Sequence, residues 1–191
     1  MAEDAQLVAQ IRGGDLSAFE ALYHKYMRQL YHTALAITGE AGAAEEALQD
    51  CFLRAYAAMD RVDASRPLSP WLHRIIVNLS YNWIGRTQRW PLALDAFVDR
   101  LLTGPSSCPE QYAEIGELRA VVREAVASLS LKQRSVVVLF YFQGFTLVET
   151  AYILECPVGT VKSRLHRASQ TLRRQLLEDR RLASELAYAT S

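Results

Sequence analysis

The sequence predicts an all-α protein of two small helical domains joined by a flexible linker, the C-terminal domain being a helix-turn-helix. Three observations carry this expectation. Apolar residues recur at three- and four-residue spacing in both halves of the chain. Ser130 with Gln133, and Thr146 with Glu149, have capping-box spacing, in which two side chains satisfy orphan backbone N–H groups at a helix start. Between the halves, roughly residues 88–116 collect Pro91, Gly104, Pro105, Ser106, Ser107 and Pro109, a linker's composition.

In the N-terminal half, Asp15 follows the breaker Gly13-Gly14 and caps a helix that buries Phe19, Leu22, Tyr23, Tyr26, Leu30, Ala34 and Ile37 and ends at Gly39. A second helix turns Ala44, Ala47, Leu48, Cys51, Phe52, Ala55, Tyr56 and Met59 inward. Its other side, with Glu45, Glu46, Gln49, Asp50 and Arg54, is by itself a solvated face. A third helix starts at Ser69-Pro70 and buries Leu72, Ile75, Ile76 and Leu79. Arg74, Asn78, Tyr81, Asn82 and Arg86 lie elsewhere on its circumference. Basic, amide and aromatic groups so interleaved suit unpaired nucleic acid, because rings and guanidinium planes stack on bases while Arg and Asn reach backbone or base edges. Ordinary amphipathic packing accounts for the same residues.

In the C-terminal half, Leu118, Val121, Val122, Ala125, Val126 and Leu129 form one helical stripe. A helix from the Ser130 cap runs through Val136 to Phe140 and reaches Gly144, a left-handed cap; another covers Leu147 to Leu154, before a turn at Glu155-Cys156. Pro157 is expected at the first position of a last helix, whose inward stripe is Val161, Leu165, Ala168, Leu172 and Leu176. The face left over carries Lys162, Ser163, His166, Arg167 and Gln170, residue types that donate to phosphates and base edges in a major groove. A charge run of this kind is otherwise a solvated face; the two preceding helices favour a recognition helix.

The 191 residues allow one or two domains, and two are expected. No uninterrupted apolar stretch approaches the roughly 20 residues that span a bilayer, and Met1-Ala2-Glu3-Asp4 has no signal-peptide pattern, so a cytoplasmic protein without direct membrane insertion is expected. Cys51, Cys108 and Cys156 form no C-x-x-C pair; neither disulfide nor metal is expected. With no phosphate loop, metal-ligand cluster or nucleophile beside a base, the expectation is a non-enzyme without cofactor. The formal net charge of zero conceals blocks. Lys and Arg number four against nine Asp and Glu in residues 1–60, five against one in 61–90, two against five in 91–120, and ten against six in 121–191. Two basic surfaces for nucleic acid and an acidic one for a protein partner follow.

Phe145-Thr146-Leu147-Val148-Glu149-Thr150-Ala151, followed by the run from Pro157 to Ala168, resembles the minus-35-binding region of extracytoplasmic-function sigma factors of the sigma-70 family. Asp15 to Tyr23, Ala44 to Tyr56 and Trp71-Leu72-His73-Arg74-Ile75-Ile76-Val77-Asn78 resemble their second region. The resemblance implies region 2 over residues 1–90, a linker over 91–115, region 4 over 116–180 and a tail over 181–191. It implies as partners core RNA polymerase, through the clamp of its largest subunit and its flap, promoter DNA, and an anti-sigma factor. Gln49, Asp50, Phe52 and Arg54 would meet polymerase; Arg74, Asn78, Tyr81, Asn82, Arg86 and, from the loop at 60–69, Arg66 would engage the minus-10 element, Asn78 holding a flipped base. Thr160, Lys162, Ser163, Arg164, His166 and Arg167 would read the minus-35 element. The chain departs from the family pattern at Gly42-Ala43-Ala44, where many members carry an acidic pair, and at Leu147-Val148, where polar residues are usual. The competing class is a stand-alone helix-turn-helix regulator. For a sigma factor, a flexible linker would leave the relative placement of the two basic segments unfixed in the free chain.

Overall fold

The computed structural model describes residues 2–87, 124–126 and 128–178, and the described residues contain helices and turns but no strand. Helix α1 is Ala2–Arg12, α2 Leu16–Thr38, α3 Ala41–Ala58 and α4 Leu68–Thr87. Helix α5, Leu131–Val137, runs on into a π-helical turn, Val138–Phe142; α6 is Leu147–Ile153 and α7 Val158–Glu178. The linker at 91–115 and the tail at 181–191 lie outside the described residues, as does most of the helix expected around Leu118 to Leu129, of which residues 124–126 are helical.

Local chemistry sets most helix ends. One carboxylate oxygen of Asp15 accepts from the Ser17 and Ala18 amides, satisfying first-turn donors of α2, and Gly39 closes that helix at φ 70°, where a Cβ would be strained. Both capping boxes form: the Ser130 and Thr146 hydroxyls accept from the Gln133 and Glu149 amides, whose side chains return to the cap N–H groups. Three boundaries differ from expectation. Helix α4 starts one residue before Ser69. Pro157 stands just before α7, its carbonyl accepting from the Thr160 and Val161 amides, so it serves as the cap instead of the first helical residue. Gly144 does take a left-handed φ of 72°, but the helix before it has already widened to a π turn, with the Gln143 amide donating to the Val138 carbonyl.

Helices α2, α3 and α4 pack around Leu22, Leu30, Cys51, Leu72 and Ile76, each fully buried. Helix α1, which no cap or long apolar stripe announces in the sequence, closes this bundle. Its Val8 and Ile11 enter the core, the Tyr26 hydroxyl donates to Asp4 at 2.8 Å, and Arg12 donates to the carbonyls of Met59 and Val62, pinning the loop before α4. In the C-terminal half, Val136, Ala151, Val161 and Leu165 form one small core, and Leu129, Val137 and Ala168 another.

The two halves are not separate in this structure. Leu139, Phe145 and Ile153 are buried in the same apolar cluster as Leu72 and Ile76, so α6 and the π turn close over α4 and α2. Polar contacts flank this seam: Gln143 donates to Thr33 Oγ1 at 2.9 Å, and the Tyr81 hydroxyl donates to Ser135 Oγ at 2.8 Å. The expectation of unfixed placement is therefore replaced by a closed arrangement. Its cause lies in the side chains, because Phe145 and Ile153 bury against the cluster that Leu72 and Ile76 supply.

Leu22 has no exposed surface and sits where α2, α3 and α4 meet. Leu22→Ala should lower stability by about 2–5 kcal/mol, the transfer loss plus the residual cavity. Urea unfolding is the measurement, and the midpoint should fall with the slope unchanged.

Candidate nucleic-acid interface

Helix α7 presents a sorted surface. Val161 and Ala168 are fully buried and Leu165 nearly so, while Lys162, Ser163, His166, Arg167 and Gln170 on the other face are exposed. Leu172 and Leu176 are only half-buried, so the stripe thins toward the end. Gln170 Nε2 donates to His166 Nε2 at 2.9 Å, which holds that ring to the helix. Two further predicted contacts sit differently. Arg164 is half-buried and points Nη1 at Cys156 Sγ, 3.6 Å away, and Thr160 is half-buried with its carbonyl accepting from Ser163 Oγ at 3.0 Å. The exposed basic face is thus Lys162, His166 and Arg167, with Ser163 between them.

Helix α4 carries the second candidate surface. Arg74 is half-buried, Asn78 exposed, and both donate to one oxygen: Arg74 Nε to Glu155 Oε1 at 2.8 Å and Asn78 Nδ2 to the same atom at 3.3 Å. The Arg74 guanidinium also lies over the Tyr152 ring, 5.1 Å from its centre. These hydrogen bonds from Asn78 and Arg74, with the charge of Arg74, hold the Glu155 carboxyl below its usual range. Tyr81 is half-buried and its hydroxyl committed to Ser135; burial raises its pKa. Asn82 and Arg86 are exposed farther along the helix. Arg66, in the loop, is exposed and pairs with Asp63 at 3.2 Å. A cleft lies between that loop and α6, with Arg61, Asp63, Arg66 and Trp71 on one wall and Val148, Glu149 and Tyr152 on the other.

A third surface runs between α2 and α3. Gln49 and Arg54 are exposed and Asp50 half-exposed, as expected. Phe52, turned inward by its period and implied as a polymerase contact by the family resemblance, is 4% exposed, its ring 4.6 Å from Tyr23 and 6.2 Å from Phe19. It floors an apolar groove with Leu16, Phe19, Tyr23, Leu53 and Tyr56. Tyr56, expected inward, is 47% exposed, and Leu16 and Leu53 are more exposed still. Leu53 was legible, since it falls among Gln49, Asp50 and Arg54 on the polar side, where an apolar residue gains nothing from the core. Glu155 and Tyr152 were missed because nothing local in the sequence brings them to α4.

Among the described residues no group of three or more His, Cys, Asp or Glu is placed to hold a metal ion, and no helix is long and apolar enough to cross a membrane.

The family models for sigma-70 region 2 and sigma-70 region 4 match residues 22–90 and 119–172. The ECF RNA polymerase sigma factor SigW of Bacillus subtilis is 33% identical over 88% of this chain and 94% of its own length. SigM of Mycobacterium tuberculosis, another ECF RNA polymerase sigma factor, is 35% identical over 91% of this chain and 84% of its own. In three dimensions the chain is similar to CnrH, solved in complex with the cytosolic domain of CnrY, with a TM-score of 0.69 and 26% identity over 93% of this chain and 99% of that one. It is also similar to the sigma factor RpoE of Bartonella quintana, solved with the anti-sigma factor NepR, with a TM-score of 0.63 and 26% identity over 85% of this chain and 98% of that one. The chain belongs to the extracytoplasmic-function sigma factors of the sigma-70 family. It is an alternative sigma factor, a transcription initiation factor that directs RNA polymerase to promoters.

His73, on α4 behind Arg74, is fully buried, with its ring meeting the Phe145 ring edge-on at 4.7 Å. Nδ1 lies 2.8 Å from the Ser69 carbonyl, which can only accept, so Nδ1 carries the proton; Nε2 is buried without a hydrogen-bond partner. Burial pushes the imidazole down to about 4, against the weaker opposing pull of the Ser69 hydrogen bond. The folded value lies below the unfolded one, so this group's contribution is fully present above pH 6.5 and is lost as pH falls toward 4. His73→Leu should remove that part of the slope, measured as the difference in urea midpoint between wild type and variant across this window.

Proposed function

We propose that this sigma factor docks on the clamp of core RNA polymerase through the α2–α3 groove, reads the minus-10 element with α4 and the loop at 60–69, and reads the minus-35 element with α7. The observation that carries the reading is the sorting of α7: exposed Lys162, Ser163, His166 and Arg167 opposite buried Val161, Leu165 and Ala168, on a helix entered through a capped helix and a tight turn. In the groove, exposed Leu16, Leu53 and Tyr56 supply apolar contact and Gln49 a neutral amide, while Asp50, Glu45 and Glu46 on the same helix supply an acidic rim for a basic partner.

On α4, Asn78 and Arg74 hold a base extruded from the non-template strand, and Tyr81, Asn82, Arg86 and Arg66 contact the displaced strand. Extrusion costs a few kcal/mol for a paired base, which contacts available only to the open strand offset. No covalent step is needed, so the protein is not an enzyme and takes no cofactor. Acting with polymerase in the cytoplasm, it would be held by an anti-sigma partner, a reading supported by the complex of the structural relative RpoE with the anti-sigma factor NepR. Residues 1–90 and 116–180 act as the two readers, 91–115 as their linker and 181–191 as a tail.

The test is run-off transcription and footprinting with purified core enzyme, with and without this protein, on promoters selected from a random library. Promoter-dependent initiation should require both components. Tight footprinting by the protein alone, with no initiation conferred on core, would identify a stand-alone regulator.

For the upstream element, Arg167→Ala should cost the holoenzyme about 1–3 kcal/mol if Arg167 reads a base bidentately, with relaxed preference at one position; a lost phosphate contact would weaken all sequences alike. A panel of substituted minus-35 elements separates the two. Unchanged affinity and preference in both Arg167→Ala and Lys162→Ala would remove α7 from the reading.

A further inference from the structure

We infer that the turn of the helix-turn-helix is a built-in stand-in for nucleic acid, with Glu155 and Tyr152 occupying the minus-10 reading face of α4 until polymerase draws the two domains apart. The inference rests on the proposed role of α4 and adds an intramolecular competitor for it.

Four contacts meet on that face. Arg74 Nε and Asn78 Nδ2 converge on one carboxylate oxygen of Glu155, as two donors would on a base carbonyl or a phosphate oxygen. The Tyr152 ring lies under the Arg74 guanidinium, where an unpaired base would stack. Tyr81, a third group of the same helix, spends its hydroxyl on Ser135. Glu149, Val148 and Tyr152 wall the cleft of the loop at 60–69, which the minus-10 strand has to enter. An anion, a ring and a steric wall thus reproduce the parts of a nucleotide, all from residues 148–155.

The backbone at Glu155 points the same way. Its φ is 49°, in the left-handed region that glycine tolerates and larger residues seldom adopt. Glycine would suit a turn between two helices better, and would lose the carboxylate. A strained residue here is accounted for by what its side chain holds across the seam.

Closure and DNA binding therefore compete for the same donors. A free chain in the closed state binds single-stranded minus-10 DNA with its intrinsic affinity reduced by the fraction of molecules that are open. This differs from weak binding through linker entropy alone, which a change at residue 155 would not affect.

The experiment uses the full chain and fluorescently labelled non-template minus-10 oligonucleotides taken from promoters that the holoenzyme opens. Glu155→Gly relieves the backbone, so the helix-turn-helix stays folded, as circular dichroism and thermal unfolding should report. Its affinity for the oligonucleotide should rise about twofold to fivefold, the range expected from releasing one exposed ion pair. Adding Tyr152→Ala should bring the gain to about tenfold, and a scrambled oligonucleotide should gain less. Initiation by the assembled holoenzyme should be unchanged by Glu155→Gly. Unchanged oligonucleotide affinity in both variants, beside intact initiation by the wild type, overturns this inference and leaves the sigma-factor reading standing. Failure of the wild type to confer initiation on core enzyme overturns both.

Discussion

Helix α4 has more claims on its surface than it has sides, and the rest of the structure depends on how they are met. Leu72 and Ile76 hold the N-terminal bundle together, and His73 faces the ring of Phe145. Arg74 and Asn78, with Tyr81 farther round, lie on the part of the circumference that the helix-turn-helix reaches. Every polar group on that arc needs a partner when water is excluded. Glu155 and Ser135 supply partners in the closed chain; nucleic acid would supply them in the open one.

The energies at this seam divide by type. Phe145 and Ile153 are 8% and 0% exposed, and burying side chains of this size contributes about 1.5–3 kcal/mol each. The Arg74–Glu155 pair is 39% and 50% exposed, so water and salt screen it. Apolar burial therefore holds the two halves together, while the polar contacts decide which groups on α4 are covered. A competitor that meets only the polar groups displaces the turn poorly. Separation requires something that also rewards uncovering Phe145, and a large protein surface does this better than a short oligonucleotide. On the proposed reading, a need for polymerase in minus-10 binding would then come from the seam itself, without any appeal to linker length.

Legibility in the sequence followed the range of the interaction. Asp15, Ser130 and Thr146 cap helices through contacts two or three residues away, and each forms as read. The stripe Val161, Leu165, Ala168 is a matter of period alone, and it too is buried. Where a side chain answers to distant residues, the reading failed or was silent. Tyr56 has the period of a core residue but is left exposed on an apolar groove, while Phe52, on the same stripe, is buried beside Phe19 and Tyr23 as its period predicts. The Arg74–Glu155 contact joins residues 81 apart in the chain, beyond the reach of any local pattern. Helix α1 is a different case: Val8 and Ile11 have helical spacing, but so few apolar positions leave the assignment to its packing against α2.

Arg164 differs from its neighbours on α7. It stands among the residues proposed to face DNA but turns back toward Cys156, in the turn that also holds Glu155. Its half-buried guanidinium is thus set apart from the exposed Lys162, Ser163, His166 and Arg167, to which the proposed readout falls. The turn before α7 thus also carries Glu155, whose carboxylate covers Arg74 and Asn78 on α4. In the closed chain the outer face of α7 stays exposed while that arc of α4 is covered, so on the proposed reading only the minus-10 contacts wait on the opening of the seam.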